Sequence, residues 1–297
     1  MPDETNLVFT SPRVLPDVAS IRGRVAVLDV AFVADELGVS FAATTESFIR
    51  RLGDRLAVWV DHHDHHRHVD FAADPRFVLA KKAEHGACPE MIDQALVAKT
   101  GPVDTIVCHL DLDGLYAAAK WLRGGCEPYP GADEDARRVD TRIGQPGAIA
   151  DSIDRALRAH FRDDALKRTV VHFLVGGAQN AALHQQIGAL AADFDAMQHE
   201  TERLVGFYER RGAVAFVDAS KHARRPFDKT ELLLRGQALA VVAVVRHAGY
   251  VTLAAAFDSG VDFLCLLQIS GGMPTRVTLP EKRLAEVLSR LAEAGLA

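Results

Sequence analysis

The stretch TIVCHLDLDGLYAAAKWLRGG, residues 105–125, shows how the first half of this chain is built. Its apolar run from Thr105 to Leu110 predicts a buried strand, and the residues after it predict a helix through Leu115–Leu122. The Gly124-Gly125 pair predicts the end of that helix, because glycine commonly follows the last helical turn. A strand that enters a helix through a short acidic turn is typical of an α/β domain.

The same pattern occurs twice upstream. RVAVLDV (24–30) and LAVWV (56–60) predict buried strands, while TTESFIRRL (44–52) and residues 89–98 predict helices. Strands that alternate with helices favour a parallel sheet with helices on both faces. The fold class is therefore predicted to be α/β.

The second half of the chain has a different pattern. Apolar residues recur at three- and four-residue steps from Ile187 to Tyr208 and predict one long helix. Four strand-like runs and a closing helix follow it, at 213–217, 238–245, 250–256, 263–269 and 281–291. We therefore predict an α/β domain at 1–180, a linker helix at 181–212 and a smaller α+β domain at 213–297.

Composition excludes some functions. The chain has 297 residues, 48% of them hydrophobic, and a formal net charge of −6. Tight binding to long duplex DNA needs many Lys and Arg contacts to phosphates, so this charge argues against it. A small polyanion held through a bound cation remains compatible with the charge.

Cellular location is predicted from three further observations. The four cysteines lack CxxC spacing, which favours a reducing compartment. No apolar run reaches the roughly 18 residues of a membrane span. The N-terminus, MPDETNLVFTSPR, is unlike a signal peptide. We therefore expect a cytoplasmic protein with no membrane partner.

Acids and histidines gather where the three predicted strands end. They are Asp29, the trio Asp61-His62-His63, and the group His109, Asp111 and Asp113. Ligands of open α/β sheets bind beyond the carboxyl ends of the strands, so we expect these side chains to meet. Crowded carboxylates repel one another unless a cation compensates, and oxygen and imidazole ligands suit Mn²⁺ or Mg²⁺. So many ligands favour two ions that share a carboxylate, an arrangement that cleaves phosphate esters.

Each of these groups also has a plainer interpretation. A strand-end Asp such as Asp29 is commonly a cap or a turn former, and Asp113 fits a helix N-cap. The tract DHHDHHRH (61–68) could instead be a structural, His-rich metal buffer on the surface. Metal content would then depend on the outer histidines His65, His66 and His68. The occurrence of all three groups at predicted strand ends favours a shared site.

These motifs resemble those of the DHH phosphoesterases. Asp61-His62-His63 after an apolar strand is similar to the motif that names the family, and HLDLDG (109–114) before a helix is similar to its H/G-x-D-x-D-G motif. Asp29 resembles the single Asp of a further motif, and HGACPEMIDQAL (85–96) resembles the segment that commonly follows DHH. In the family the DxD motif normally precedes DHH, whereas here it follows. The chain thus resembles a circularly permuted DHH domain over most of residues 24–177.

The resemblance implies a set of metal ligands. Asp111 and Asp113 would each favour one of two Mn²⁺ ions, with Mg²⁺ as the alternative metal, and Asp29 would bridge both. His62 would be an imidazole ligand, and His109 would add a ligand to the first ion.

It also implies roles around the ions. Asp61 would orient His62 by accepting its other ring proton, and His63 would contact the substrate phosphate or help protonate the leaving group. The family's fourth-motif acid matches either Asp140, in VDTR, or Asp151, in GAIADS, and we prefer Asp140.

The C-terminal domain loosely resembles the DHH-associated domain, whose glycine-rich loop and following His bind the nucleotide of the substrate. The matching stretch is SGGMPTR (270–276). Gly271 and Gly272 would let the backbone approach the substrate, and Met273 stands where His is expected. Arg276 would take over the phosphate contact, and the alternative is an ordinary Gly-Gly hairpin.

The expected function follows from these motifs. We expect a two-domain, metal-dependent hydrolase that acts on a small phosphorylated substrate, such as a short oligonucleotide or a cyclic dinucleotide, and a homodimer is left open. One alternative is a pyrophosphatase or nucleotide phosphatase on the same centre. The other is a catalytically silent nucleotide-binding regulatory module, which Met273 favours.

Overall fold

The computed structural model describes residues 5–35 and 38–296, and the chain divides into two units. The first unit is made of Met1–Val33 and Val39–Ala192, and the second of Ala34–Gly38 and Asp193–Ala297. The second unit is therefore discontinuous in sequence. Ala34 packs into its apolar core, and the Asp35 N–H donates a hydrogen bond to Ser270 Oγ at 3.2 Å.

A parallel sheet forms the centre of the first unit. The strands of this unit are β1 (Asn6–Thr10), β2 (Val25–Leu28), β3 (Leu56–Asp61), β4 (Asp64–His65), β5 (Phe77–Leu79) and β6 (Thr105–His109). Five of them lie in the order β1-β6-β2-β3-β5, and every neighbouring pair is parallel. The three strands with acids and histidines at their ends, β6, β2 and β3, are thus immediate neighbours.

Helices cover both faces of this sheet. They are α1 (Ser47–Leu52), α2 (Gln94–Thr100), α3 (Leu112–Leu122), α4 (Ala132–Thr141), α5 (Ala148–Ala159), α6 (Asp164–Val175) and α7 (Ala181–Ala191). Ala26 and Leu28 of β2 face the larger core, which includes buried residues of α3, α5 and α6. Val25 and Val27 face a second core with Phe48 of α1. All four β2 residues are fully buried, as expected of a strand covered on both sides.

The second unit is built on a mixed sheet. Its strands are β7 (Glu209–Arg211), β8 (Val214–Asp218), β9 (Val242–His247), β10 (Tyr250–Ala254), β11 (Gly271–Gly272) and β12 (Arg276–Pro280). Five of these strands, all except β11, form the sheet in the order β12-β10-β9-β8-β7. In it β8 and β9 are parallel, and the other neighbours are antiparallel. Its helices are α8 (Phe194–Val205), α9 (Ala219–His222), α10 (Lys229–Gln237), α11 (Phe263–Leu267) and α12 (Leu284–Glu293). None of the helices in the described ranges has the length and apolar character needed to traverse a bilayer.

Two predictions of secondary structure are wrong. The single long helix is two helices, α7 and α8, separated by a turn at Ala192 and Asp193, and the two units also divide there. The interruption leaves Ile187 and Phe194 in helical register, so the apolar spacing does not reveal it. The strand expected at 263–269 contains α11 instead, because the Asp262 carboxylate caps it by accepting the Cys265 N–H at 3.0 Å.

The turn from β6 into α3 depends on Gly114. A Cβ added there would lie 2.6 Å from the backbone oxygen of His109, so no larger residue fits without moving the end of β6. Gly188, inside α7, has no atom within 4 Å of its added Cβ. The two glycines form a matched pair for testing the turn.

We expect Gly114→Ala to lower the free energy of unfolding by about 1–3 kcal/mol, because overpacking against backbone forces a shift. Gly188→Ala should raise it by about 0.5–1 kcal/mol, since alanine is the better helix former. Urea denaturation of both variants measures the difference. Equal effects of the two substitutions would contradict the close packing at Gly114.

Candidate metal centre

The carboxyl ends of three adjacent strands bring the predicted residues together. Asp29 directly follows β2, Asp61 is the last residue of β3, and His109 is the last residue of β6. Asp111 occupies the N-cap position of α3, and Asp113 lies buried in its first turn. Parallel strands end at one edge of a sheet, so residues far apart in sequence meet there.

Asp29 lies at the middle of the group. Its backbone has φ of 60°, the left-handed region that Asp tolerates better than most residues, and its N–H donates to the Val60 carbonyl at 2.8 Å. The side chain is fully buried, yet neither carboxylate oxygen has a hydrogen-bond partner among the described residues. His62 Nε2 lies 3.2 Å from Oδ1, and His109 Nδ1 lies 3.6 Å from Oδ2. A buried carboxylate with unsatisfied oxygens fits a cation ligand.

Three sets of side chains have ligand atoms within 4.8 Å of one another: Asp29, His62 and His63; Asp29, His109 and Asp111; and His62, Asp113 and Asp140. Asp29 belongs to two of these sets, and so does His62. Asp111 and Asp113 fall in different sets. Oxygen and imidazole donors without thiolate suit a hard or borderline divalent ion, so the residues present fit such a metal.

Asp61 and the backbone of His85, which belong to none of the three sets, orient the imidazoles of His63 and His62. Asp61 contacts a different histidine from the one expected. Asp61 was expected to orient His62, but its Oδ1 accepts from Nδ1 of His63 at 2.9 Å. The backbone carbonyl of His85 accepts from Nδ1 of His62 at 2.9 Å and leaves Nε2 towards the carboxylates. Sequence reasoning missed this role because a backbone oxygen carries no residue signature.

The two candidates for the fourth-motif acid lie in different environments. Asp140 is in the last turn of α4, and its Oδ2 lies 3.7 Å from His62 Nε2. Asp151 is exposed on α5 and belongs to none of the three sets. The structure therefore brings Asp140 to the cluster and leaves Asp151 outside it.

Lys82 is a residue of the cluster that sequence reasoning missed. It comes shortly after β5, whose carboxyl end lies at the same sheet edge, and its side chain is only 1% exposed. Its ammonium contacts the Asp140 carboxylate and lies 3.1 Å from His62 Nε2. The only signal was a Lys81-Lys82 pair after the short run FVL, which was not recognised as a strand.

The excess of carboxylates shifts the pKa values of the groups among them. Burial acts to raise the pKa of Asp29, but contacts with His109 and His62 outweigh it and hold that pKa well below its ordinary value. Burial acts to lower the pKa of His109, but Asp111 and Asp29 raise it well above the ordinary range. Burial and Lys82 act to lower the pKa of His62, but Asp113 and Asp29 raise it to about 10. A metal ion would compete with these protons, so its affinity should increase with pH.

The outer histidines of the His-rich tract lie outside the ligand sets found among the described residues. His65 is buried, with Nε2 3.2 Å from the Val33 carbonyl oxygen, and His68 packs edge-on against Phe32 at 5.0 Å. Neither they nor His66 belong to any of the three sets. The tract therefore contributes to an aromatic cluster.

The predicted substrate residues belong to the second unit. Gly271 and Gly272 form the short strand β11, and Gly272 has φ of 127°, a conformation that residues with a side chain rarely adopt. Arg276 begins β12 and donates from Nη2 to Thr230 Oγ1 at 3.2 Å. The three ligand sets consist entirely of residues of the first unit.

Family models and curated proteins add no relative. No protein-family model matches the chain, and a search of curated proteins finds no significant match. The resemblance to the DHH phosphoesterases rests on the motifs of the sequence.

Asp29→Asn should lower the affinity for Mn²⁺ by at least about 100-fold, because loss of a direct ligand costs more than the 10–100-fold typical of an outer-shell partner. Asparagine tolerates positive φ, so the variant should fold. Calorimetric titration with Mn²⁺ measures the affinity, and Asp151→Asn is the control with unchanged binding. Unchanged binding by Asp29→Asn would exclude this cluster as the metal site.

Proposed function

We propose that the protein is a divalent-metal-dependent hydrolase of phosphate esters that acts on a small phosphorylated substrate. The observation that carries the proposal is the pair of unsatisfied Asp29 oxygens, buried between imidazoles at the ends of three strands. A structural carboxylate would be hydrogen-bonded there, whereas a ligand to a catalytic ion needs its oxygens available.

The residues divide into binding and proton-transfer roles. Asp29, His109 and Asp111 would hold an ion, with Mn²⁺ preferred and Mg²⁺ the alternative. A bound divalent ion supplies Lewis-acid polarisation of the phosphoryl oxygen and lowers the pKa of water. The protein itself keeps the Asp29 carboxylate fully buried, which strengthens its attraction for cations.

His63 is suited to protonate the leaving group. Its Nδ1 is bonded to Asp61 Oδ1 at 2.9 Å, so Nε2 is the atom that carries the transferable proton. The side chain of His63 is 20% exposed, whereas Asp61 is fully buried. A buried carboxylate behind an accessible imidazole fixes the orientation of the ring and leaves Nε2 for the leaving group.

The substrate class follows from charge and resemblance. A net charge of −6 disfavours a long polyanion, because its phosphates would be repelled away from the metal. The DHH resemblance favours a short oligonucleotide or a cyclic dinucleotide. Pyrophosphate and a 3′,5′-bisphosphate nucleotide represent the alternative phosphatase activity.

We expect Mn²⁺-dependent release of mononucleotide from a dinucleotide, abolished by chelation and restored by Mn²⁺. Chromatography of the products from dinucleotide, cyclic dinucleotide, pyrophosphate and 3′,5′-bisphosphate nucleotide measures the preference. Faster turnover of pyrophosphate or the bisphosphate would shift the assignment to the alternative phosphatase. Nucleotide binding without turnover, with metal loaded, would support the silent regulatory module instead.

Asp61→Asn should lower kcat by about 100- to 10,000-fold, the range for loss of general acid–base catalysis, because the amide does not hold the His63 ring in the same tautomer and orientation. Mn²⁺ content should stay unchanged, since Asp61 belongs to none of the ligand sets. Steady-state kinetics and metal analysis of the same sample test both parts. Full activity of the variant would contradict the role of His63, and exposed Asp70→Asn is the control.

A further inference from the structure

One set of candidate ligands already contains a cation of the protein itself. The Lys82 ammonium contacts the Asp140 carboxylate and lies 3.1 Å from Nε2 of His62, and both partners belong to the His62–Asp113–Asp140 set. The backbone N–H of Lys82 donates to Asp64 Oδ2 at 3.1 Å, which fixes the start of the side chain. With 1% of its side chain exposed, Lys82 is enclosed in the cluster.

The ammonium and a metal ion would compete for the same atoms. An ion bound to imidazole lies about 2 Å from the ring nitrogen. Lys82 Nζ lies 3.1 Å from that same nitrogen and contacts the carboxylate that would be the next ligand. A divalent ion on that nitrogen would lie close to the ammonium charge, in a buried environment where the repulsion between them is weakly screened.

The other set with two carboxylates, Asp29–His109–Asp111, has no such competitor. Among the described ion pairs, those of Asp29 and Asp111 are with histidines alone, at 2.7–4.0 Å. An imidazole nitrogen is a common metal ligand, whereas a lysine ammonium has three N–H donors and no acceptor atom to offer an ion. The two halves of the cluster therefore differ in the cation they are built to hold.

We propose that Lys82 takes the place of the second ion, so that the chain binds one divalent ion, at Asp29, His109 and Asp111. This inference rests on the proposed function for the presence of a metal at the centre. It departs from the two ions that the resemblance implies. The ammonium makes its contacts with Asp140 and His62 inside the cluster, where a second metal ion would otherwise lie.

The experiment counts ions in the wild-type protein and in Lys82→Met. Equilibrium dialysis against Mn²⁺ followed by metal analysis should give one equivalent in the wild type and two in the variant. Electron paramagnetic resonance should show the hyperfine-split signal of an isolated Mn²⁺ ion in the wild type and loss of that signal through magnetic coupling in the variant. Lys81→Met, which removes the exposed neighbouring lysine, should stay at one equivalent.

The outcomes separate this inference from the proposed function. Two equivalents in the wild type would overturn the role of Lys82 and leave metal-dependent hydrolysis standing. No bound Mn²⁺ in either protein would overturn both, and any other departure from one and two equivalents overturns the inference alone. If circular dichroism shows that Lys82→Met does not fold, Lys82→Gln replaces it. The number of ions bound by the wild type still tests the inference in that case, because two equivalents would overturn it.

Discussion

A buried negative charge must be compensated, and the carboxylate of Asp29 imposes this constraint on the whole first unit. Removing an ionised carboxylate from water costs several kcal/mol even after the protein relaxes. Here the backbone places it at the end of a fully buried strand, and within the described part of the chain neither oxygen has a hydrogen-bond partner. Its neighbours are imidazoles, and beyond them lie further carboxylates. The arrangement is unfavourable in the absence of a cation, and a bound cation would compensate its negative charge.

The topology of the parallel sheet brings the residues of this cluster together. Because β6, β2 and β3 are adjacent, their carboxyl ends deliver His109, Asp29 and Asp61 to one edge without any long loop. Stability comes from elsewhere, since alternate residues of the strands pack into two separate apolar cores. Substitutions at the edge can therefore change the chemistry while the layers that hold the fold stay intact.

Much of the cluster could be predicted from the sequence, because an acid or histidine directly after an apolar strand has a nearly fixed location in an α/β sheet. The place of Lys82 could not be predicted, because Lys82 follows strand β5, which has only three residues, all of them half-buried. The partner of Asp61 could not either, because the choice between adjacent His62 and His63 depends on side-chain direction. In the second unit, α11 was mistaken for a strand because five apolar residues fit either structure, and only the Asp262 cap decides. The edge strand β1 could not be predicted either, because it is only partly buried and its sequence, NLVFT, has polar residues at both ends.

Residues 34–38 belong to the second unit although they lie within the sequence of the first, and this limits how the chain can be divided into fragments. Ala34 belongs to a core whose other buried members lie beyond residue 213, so this short segment leaves the ribosome long before its packing partners exist. The core of the second unit is complete only when Ala34 packs against residues that are synthesised much later. A fragment cut at the turn between α7 and α8 would lack this piece, and independent expression of the C-terminal part would begin with a gap in its apolar interior.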